Sequence, residues 1–370
     1  MSVSRRVAVN LLFLVPGEVG GSEEYAVRTL RAYAKYGSSS IEPVLFAYES
    51  LRTAHPELCE EFEVVALPEP HRSRFRRVVL ESTWLLTQTH GFDVVHLLGG
   101  RMPMRSERPS VVTIHDLQPF DHPEHFSLVK QGFLSWAVPR SIGRADVVVT
   151  VSDSVGEQVI TRFDIDPSRV VTVSSGVNQI LDVPAEPSWP PVIIYPAVSH
   201  PHKNHAVLIE AFGRIAHHHP EARLLLTGGV GRAEASVAVA ISRSGIGERI
   251  DRTGRLPEQE YARRLAGASL LAFPSAYEGF GIPVLEAMAL GVPVVVAGGT
   301  PADDVAGGAG WTVDGNDVEA WAKALHHGLG DMNARSAASE AGLRRAAHYS
   351  WEASANQLER AWLLAADVDL

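Results

Sequence analysis

The sequence predicts an α/β protein made of two doubly wound, parallel-sheet domains. Short apolar runs bounded by Gly and Pro alternate with longer helical patterns along the chain. Runs of this kind are buried on both faces and belong to βαβ units. The length of 370 residues suffices for two such domains. Between two series of runs lies DVPAEPSWPP, Asp182 to Pro191, the most proline-rich stretch and the expected linker.

In the first domain, residues 1–183, strands are expected at Val7 to Val15, Pro43 to Tyr48, Val64 to Leu67 and Val94 to Leu98. Val111 to Ile114, Val147 to Val151 and Val170 to Val173 complete that series. The opening run VAVNLLFLVPG follows Arg5-Arg6 and superficially resembles a signal peptide, but Asn10 interrupts it and no cleavage pattern follows Pro16. A buried first strand explains it better. In the second domain, 184–349, strands are expected at Val192 to Tyr195, Arg223 to Thr227, Ile250 to Thr253, Leu270 to Pro274 and Val294 to Ala297. Residues 350–370 are helical from Ser350 to Ala366 and are expected to cross back to the first domain. Ligands of open parallel sheets sit outside the carboxyl ends of the strands, so two facing sheets would focus a site in a cleft.

Composition narrows the function classes. Hydrophobic content of 45% and charged content of 21% are those of a globular protein, and the net charge of −10 argues against a general nucleic-acid binder. Cys59 is the only cysteine, which rules out an intrachain disulfide and a cysteine-based zinc site and points to a reducing cytoplasm. No run approaches the roughly 20 apolar residues of a membrane helix.

The most informative stretch is SAYEGFGIPVLEAMALGVP, Ser275 to Pro293. Pro283 suits a first helical turn, Leu285, Ala289 and Leu290 recur at helical spacing, and Gly291 sits where a helix stops. The amides around Gly279, Phe280 and Gly281 then lie at a helix N-terminus, which stabilises an anion such as a diphosphate. Glu278 lies at the mouth of the turn and Glu286 about 6 Å further along the axis. Two carboxylates beside a phosphate would repel it, so they suit hydroxyls on either side: sugar hydroxyls and a ribose diol. An acidic first turn without a ligand is the plain alternative.

Other segments supply further chemistry. Gly20-Gly21-Ser22 opens a helix, Glu23 to Tyr36, where backbone amides can approach a ligand, but it is not a G-x-G-x-x-G fingerprint. His115-Asp116 ends a strand at the ligand-binding edge; the histidine can donate to a sugar hydroxyl, or the pair can simply cap a loop. In SHPHKNH, Ser199 to His205, Lys203 could neutralise a diphosphate leaving group. His200, His202 and His205 raise the thought of a metal, but the segment has no carboxylate or Cys. His217-His218-His219 reads as a helix C-terminus before Pro220. Arg72, Arg74, Arg76 and Arg77, interleaved with Phe75, Val78, Val79 and Trp84, make a basic amphipathic helix, either a solvated face or a contact for an anionic membrane.

Taken together, these motifs resemble the retaining glycosyltransferases of the GT-B fold, two Rossmann-like domains facing across a cleft, and specifically glycosyltransferase family 4. The resemblance is strongest from Tyr195 to Gly310, in YPAVSHPHKNHAVLIEAF, LLLTGG and the stretch through EGFGIPVLEAMALGVPVV. It implies that Glu278 holds donor-sugar hydroxyls and Glu286 the ribose diol, with the amides of Gly279, Phe280 and Gly281 on sugar or phosphate. It likewise implies that Lys203 and Gly21 meet the diphosphate, His115 lies beside the sugar, and Arg255 and Leu256 meet the base. Many members carry a Gly-Arg pair where this chain has Ala197-Val198. The His-x-Lys-Asn form resembles a mannosyltransferase-containing subgroup.

The activity so implied is transfer of a hexose, from a GDP-mannose or UDP-glucose/UDP-GlcNAc type of donor, to a hydroxyl of a glycan, lipid-linked sugar or natural product. Configuration is retained by a front-face route, and neither metal nor other cofactor is required. Rivals are an epimerase, a phosphorylase, for which no pyridoxal-phosphate lysine is evident, and a non-catalytic nucleotide-sugar binder.

Overall fold

The computed structural model describes residues 4–16, 21–68, 74–105, 109–177 and 188–367. The chain divides into two compact units: Met1–Gly176 with Ser350–Leu370, and Val177–Tyr349. The division falls ahead of the proline-rich stretch, of which Asp182 to Pro187 lie outside the described residues.

The first unit carries seven strands: β1 (Arg5–Asn10), β2 (Ile41–Tyr48), β3 (Glu63–Leu67), β4 (Val94–Leu97), β5 (Ser110–Ile114), β6 (Val147–Thr150) and β7 (Val170–Thr172). They pair in parallel in the order β3-β2-β1-β4-β5-β6-β7. Strands β4, β5 and β6 are buried throughout, as helices on both faces require. Strand β1 is shorter than its apolar run. The Asn10 side chain accepts the Leu12 N–H at 3.0 Å and Leu14 N–H turns back to the Leu11 carbonyl at 2.9 Å, so the chain leaves the ladder while its apolar side chains stay buried.

The helix Trp351–Ala366 belongs to this unit. Ser350 caps it by accepting the Ala353 N–H at 3.1 Å. Its fully buried Trp362 meets the Tyr33 ring edge-on at 4.7 Å and donates its indole N–H to Nδ1 of His96 at 3.0 Å. The expected basic helix is broken: helices Arg74–Ser82 and Trp84–Gln88 flank Thr83, and Arg72 lies outside the described residues.

The second unit carries β8 (Val192–Pro196), β9 (Arg223–Thr227), β10 (Ile250–Gly254), β11 (Leu270–Phe273), β12 (Val294–Ala297) and β13 (Trp311–Val313). The order is β10-β9-β8-β11-β12-β13, again all parallel. Edge strand β13 is three residues long and only partly buried, too short to register as an apolar run. In both sheets the winding reverses beside the first strand, between β1 and β4 and between β8 and β11. Such switch points are where open α/β sheets bind ligands.

Candidate functional site

In the second unit the loops after β8 and β11 flank the switch point, and they carry Lys203 and Glu278. The sequence builds this meeting locally. Residues 201–203 form a 3-10 turn, and Asn204 follows in the left-handed region (φ 51°), a conformation Asn tolerates better than most residues. Its side-chain amide donates to the Gly315 carbonyl at 3.2 Å, and the helix His205–Ile215 starts directly after it. Beneath the turn, the buried Tyr195 hydroxyl donates to the Lys203 carbonyl at 2.6 Å. The Ala276 N–H donates to the His202 carbonyl at 2.8 Å and so ties the two loops together.

Lys203 Nζ pairs with Glu278 Oε1, both side chains mostly withdrawn from water. Three residues on, Gly281 is the N-cap of the helix Ile282–Ala289 with φ of 109°, and Pro283 stands in its first turn. A Cβ at Gly281 would lie 2.9 Å from the Ala302 Cβ, so both the backbone angle and the space demand glycine. Phe280 is buried against the Tyr349 ring, centroids 5.7 Å apart, which anchors the turn. Glu286 lies one turn into the helix, where Tyr261 donates to its Oε2 at 2.9 Å.

Other expected residues sit around this core. Arg255 and Leu256 follow Gly254 (φ 69°), whose carbonyl accepts from Gly228 N at 2.9 Å and from Thr227 Oγ1 at 3.0 Å. The Arg255 side chain is exposed. At Ala197-Val198 the loop is packed closely by the one after β9: a Cβ on Gly228 would lie 2.3 Å from the Ala197 carbonyl oxygen. Ser199 Oγ donates to Glu234 at 2.7 Å, and Arg252 grips the same carboxylate with two bonds of 2.5 and 2.9 Å. Those bonds, Arg252 first, draw the Glu234 carboxyl down to about 2. His200 and His202 stack on each other at 5.8 Å, whereas His205 is buried against the Tyr195 ring at 4.8 Å. Burial lowers the His205 pKa to about 4.

His115 and Gly21 belong to the first unit. His115 packs edge-on against Tyr25 at 5.3 Å, and its Nε2 is 2.8 Å from the Leu98 carbonyl. A carbonyl only accepts, so Nε2 carries the proton. Burial holds the imidazole below its ordinary pKa, against the opposing pull of the Leu98 bond. In that neutral ring Nδ1 offers a lone pair, so toward a hydroxyl it could only accept, where the sequence suggested a donor. Asp116 takes the loop-capping role, accepting the Gln118 N–H at 3.0 Å. The helix opens at Gly21, earlier than expected; a Cβ there would meet nothing within 4 Å, and Gly20 lies outside the described residues.

Sequence reasoning missed Tyr261, because a single tyrosine in a polar helix carries no motif. It also missed a buried group near the β1 and β4 ends. Arg101 donates to Glu81 at 2.5 Å, Asn10 reaches Glu81 at 3.4 Å, and both ionised side chains are less than a tenth exposed.

The family model described as "Glycosyl transferases group 1" matches residues 178–345, and that described as "Glycosyltransferase Family 4" matches 19–179. The chain is 30% identical over 275 residues to an O-antigen chain mannosyltransferase B of Escherichia coli, covering 71% of this chain and 72% of that one. It is 27% identical to a D-inositol 3-phosphate glycosyltransferase of Nocardioides sp., covering 95% and 88%. Among solved structures, sucrose-phosphate synthase from Thermosynechococcus elongatus superposes with a TM-score of 0.76 at 19% identity, covering 96% of this chain and 98% of that one. Anabaena HepE in complex with UDP and glucose superposes at 0.73 and 18% identity, with the same coverage. Both show the GT-B architecture shared with this chain.

Proposed function

The chain belongs to the group 1, family 4 glycosyltransferases, and from that premise we propose that it moves a hexose from a nucleotide-sugar to an acceptor hydroxyl with retention of configuration. The pairing of Lys203 with Glu278 at the β8/β11 switch point carries this reading. A diphosphate takes over Lys203, and the carboxylate so released accepts from the sugar hydroxyls. The amides of Gly279, Phe280 and Gly281 hold sugar or phosphate at the helix N-terminus. Glu286, oriented by Tyr261, takes the ribose diol, and Arg255 and Leu256 meet the base. In the first unit, Gly21 attends the diphosphate and His115 Nδ1 accepts from a sugar hydroxyl.

Lys203 and the helix N-terminus stabilise the charge that develops on the departing diphosphate, the main electrostatic contribution without a metal ion. The leaving oxygen takes the acceptor proton on the same face. The names of the relatives point to a mannose donor or, from the structure holding UDP and glucose, a UDP-hexose, and to an O-antigen chain or an inositol phosphate as acceptor. Thermal-shift measurements with GDP, UDP, ADP and dTDP, followed by mass-spectrometric transfer assays, test the proposal. One nucleotide should stabilise the chain by about 2.7 kcal/mol at a hundred times its dissociation constant. Transfer by Glu278→Ala as fast as by the native chain would sink the assignment of that residue.

A second reading concerns the acceptor side. We propose that the first unit touches an anionic membrane surface, which suits a cytoplasmic enzyme with a lipid-linked acceptor. Phe75 (79% exposed), Leu128 (89%), Val129 (85%), Met104 and Trp136 are exposed on the helices Arg74–Ser82 and Leu128–Arg144 and the segment before the second, as are Arg76 and Arg105. Met104 N–H donates to Ser82 Oγ at 3.1 Å and Arg140 donates to the Met104 carbonyl at 2.7 Å, which joins the two helices through Met104. Co-sedimentation with phosphatidylglycerol vesicles, lost in Leu128→Ser with Val129→Ser, is the expected result; equal sedimentation of that variant refutes it.

A further inference from the structure

We infer that His122, Glu124 and His125 form a binding site for a divalent cation of the zinc class, separate from the transferase chemistry. Nδ1 of His122 lies 3.1 Å from Oε1 of Glu124, and Nε2 of His125 lies 3.7 Å from the same oxygen. One ligand atom from each of the three residues falls within 4.8 Å of the others. Tetrahedral zinc with bonds of about 2.0–2.1 Å spaces its ligand atoms roughly 3.3 Å apart. The two His–Glu separations bracket that value, and at least one of the two stacked imidazoles must turn out of the stack for both ring lone pairs to meet at one ion. Two imidazoles and one carboxylate select a borderline transition metal over Mg2+ or Ca2+, which prefer all-oxygen shells.

The chain builds the trio locally and holds its base firmly. Pro123 starts a single 3-10 turn, in which residues three apart eclipse; His122 and His125 accordingly stack, centroids 5.2 Å apart and planes 19° from parallel. The preceding residues are fixed to the helix Asp153–Phe163. Phe120 meets Phe163 edge-on at 5.4 Å, and Asp121 accepts from Arg162 at 2.6 Å. The Glu124 side chain is 63% exposed, leaving an entry path and room for water as a fourth ligand. The trio follows strand β5 and His115 in the chain, so a bound cation would clamp the segment that leaves the ligand edge of the first sheet.

A second imidazole group tests whether the carboxylate matters. His219 Nε2 lies 2.9 Å from His326 Nδ1, and the His218 ring is 5.1 Å from that of His326. Calorimetric titration of the untagged full chain with Zn2+, with visible spectra of the Co2+-loaded chain, distinguishes the two. One site per chain is expected. His122→Ala with His125→Ala should weaken binding by more than the roughly 10- to 100-fold that losing an outer-shell partner costs, and Glu124→Gln should weaken it by less than that double variant does. Circular dichroism of the metal-free variants should match the native chain. The inference fails if Zn2+ does not bind, if the His122/His125 variant binds as the native chain does, or if His219→Ala with His326→Ala abolishes binding. None of these readouts depends on sugar transfer.

Discussion

The ligand edges of the two sheets have the same topology and opposite construction. In the second unit the edge is made of short, contiguous pieces: one turn sets Lys203, and nine consecutive residues set Glu278, the glycine turn and Glu286. In the first unit the edge is assembled from distant pieces. Glu81 meets Arg101 and Asn10, while His96 joins Thr113 at 2.8 Å to Trp362 from the far end of the chain. A local site exposes its chemistry as a motif. A dispersed one uses its polar groups to hold the fold.

Substitutions at the two edges should therefore fail in different ways. If Lys203 faces the leaving group as proposed, Lys203→Ala should lower kcat/KM by on the order of 100- to 1,000-fold, with the melting temperature nearly unchanged. Steady-state kinetics alongside thermal melts check both halves. Arg101→Met should do the reverse. It leaves Glu81 buried beside Arg77 at 4.0 Å and the neutral Asn10 amide at 3.4 Å. The expected loss is about 3–5 kcal/mol in urea unfolding, whereas Arg101→Met with Glu81→Leu should recover much of it. If Lys203→Ala unfolds the chain, or Arg101→Met only slows transfer, the contrast between the edges is wrong.

The same contrast explains what could be read in advance. Twelve of the thirteen strands fall on expected runs, most of them rich in Val, Leu or Ile because a strand buried on both faces has no polar option; edge strand β10, reading IDRTG and mostly exposed, is the exception. Strand β13, at an edge and half exposed, escapes that constraint. The glutamate pair, the glycine turn and Lys203-Asn204 were legible because each depends on backbone geometry within a few residues. The pairing of Lys203 with Glu278, the Tyr261 bond and the tautomer of His115 were not, since each needs side chains that only the folded sheet brings together. Asn10 shows the limit most clearly: one side-chain bond ends a strand that the apolar run through Val15 would extend.

Acid should also separate the units. Burial, aided by the nearby His115, lowers His96 in the first unit to about 3; burial lowers His205 in the second to about 4. Both values lie below the unfolded 6.5, so between the two limits the unfolded chain binds a proton that the folded chain refuses. Stability therefore falls as pH drops below 6.5, by up to about 1.4 kcal/mol per pH unit for each ring, and the decline from His96 extends to lower pH. His96→Gln should flatten the urea-midpoint profile of the first unit and leave the contribution of His205 in place. An unchanged slope would mean that His96 titrates normally.

The smallest expected effect tests the finest feature of the donor edge. Tyr261→Phe deletes the hydroxyl 2.9 Å from Glu286 and keeps the ring in the helix Glu258–Ala266. Glu286 then keeps its charge but loses one of the bonds that fix its rotamer, so ribose recognition weakens while the reacting centre does not. A net loss of about 1 kcal/mol corresponds to roughly a fivefold rise in KM for the nucleotide-sugar at constant kcat. Should kcat fall and KM hold, Tyr261 would act on the chemical step, and Glu286 would belong with Lys203 and Glu278 at the reacting centre. A donor carrying 2′-deoxyribose sharpens the test. If Glu286 grips the ribose diol, the native chain should discriminate against that donor more strongly than the Tyr261→Phe variant does, because the variant's carboxylate has less orientation to lose.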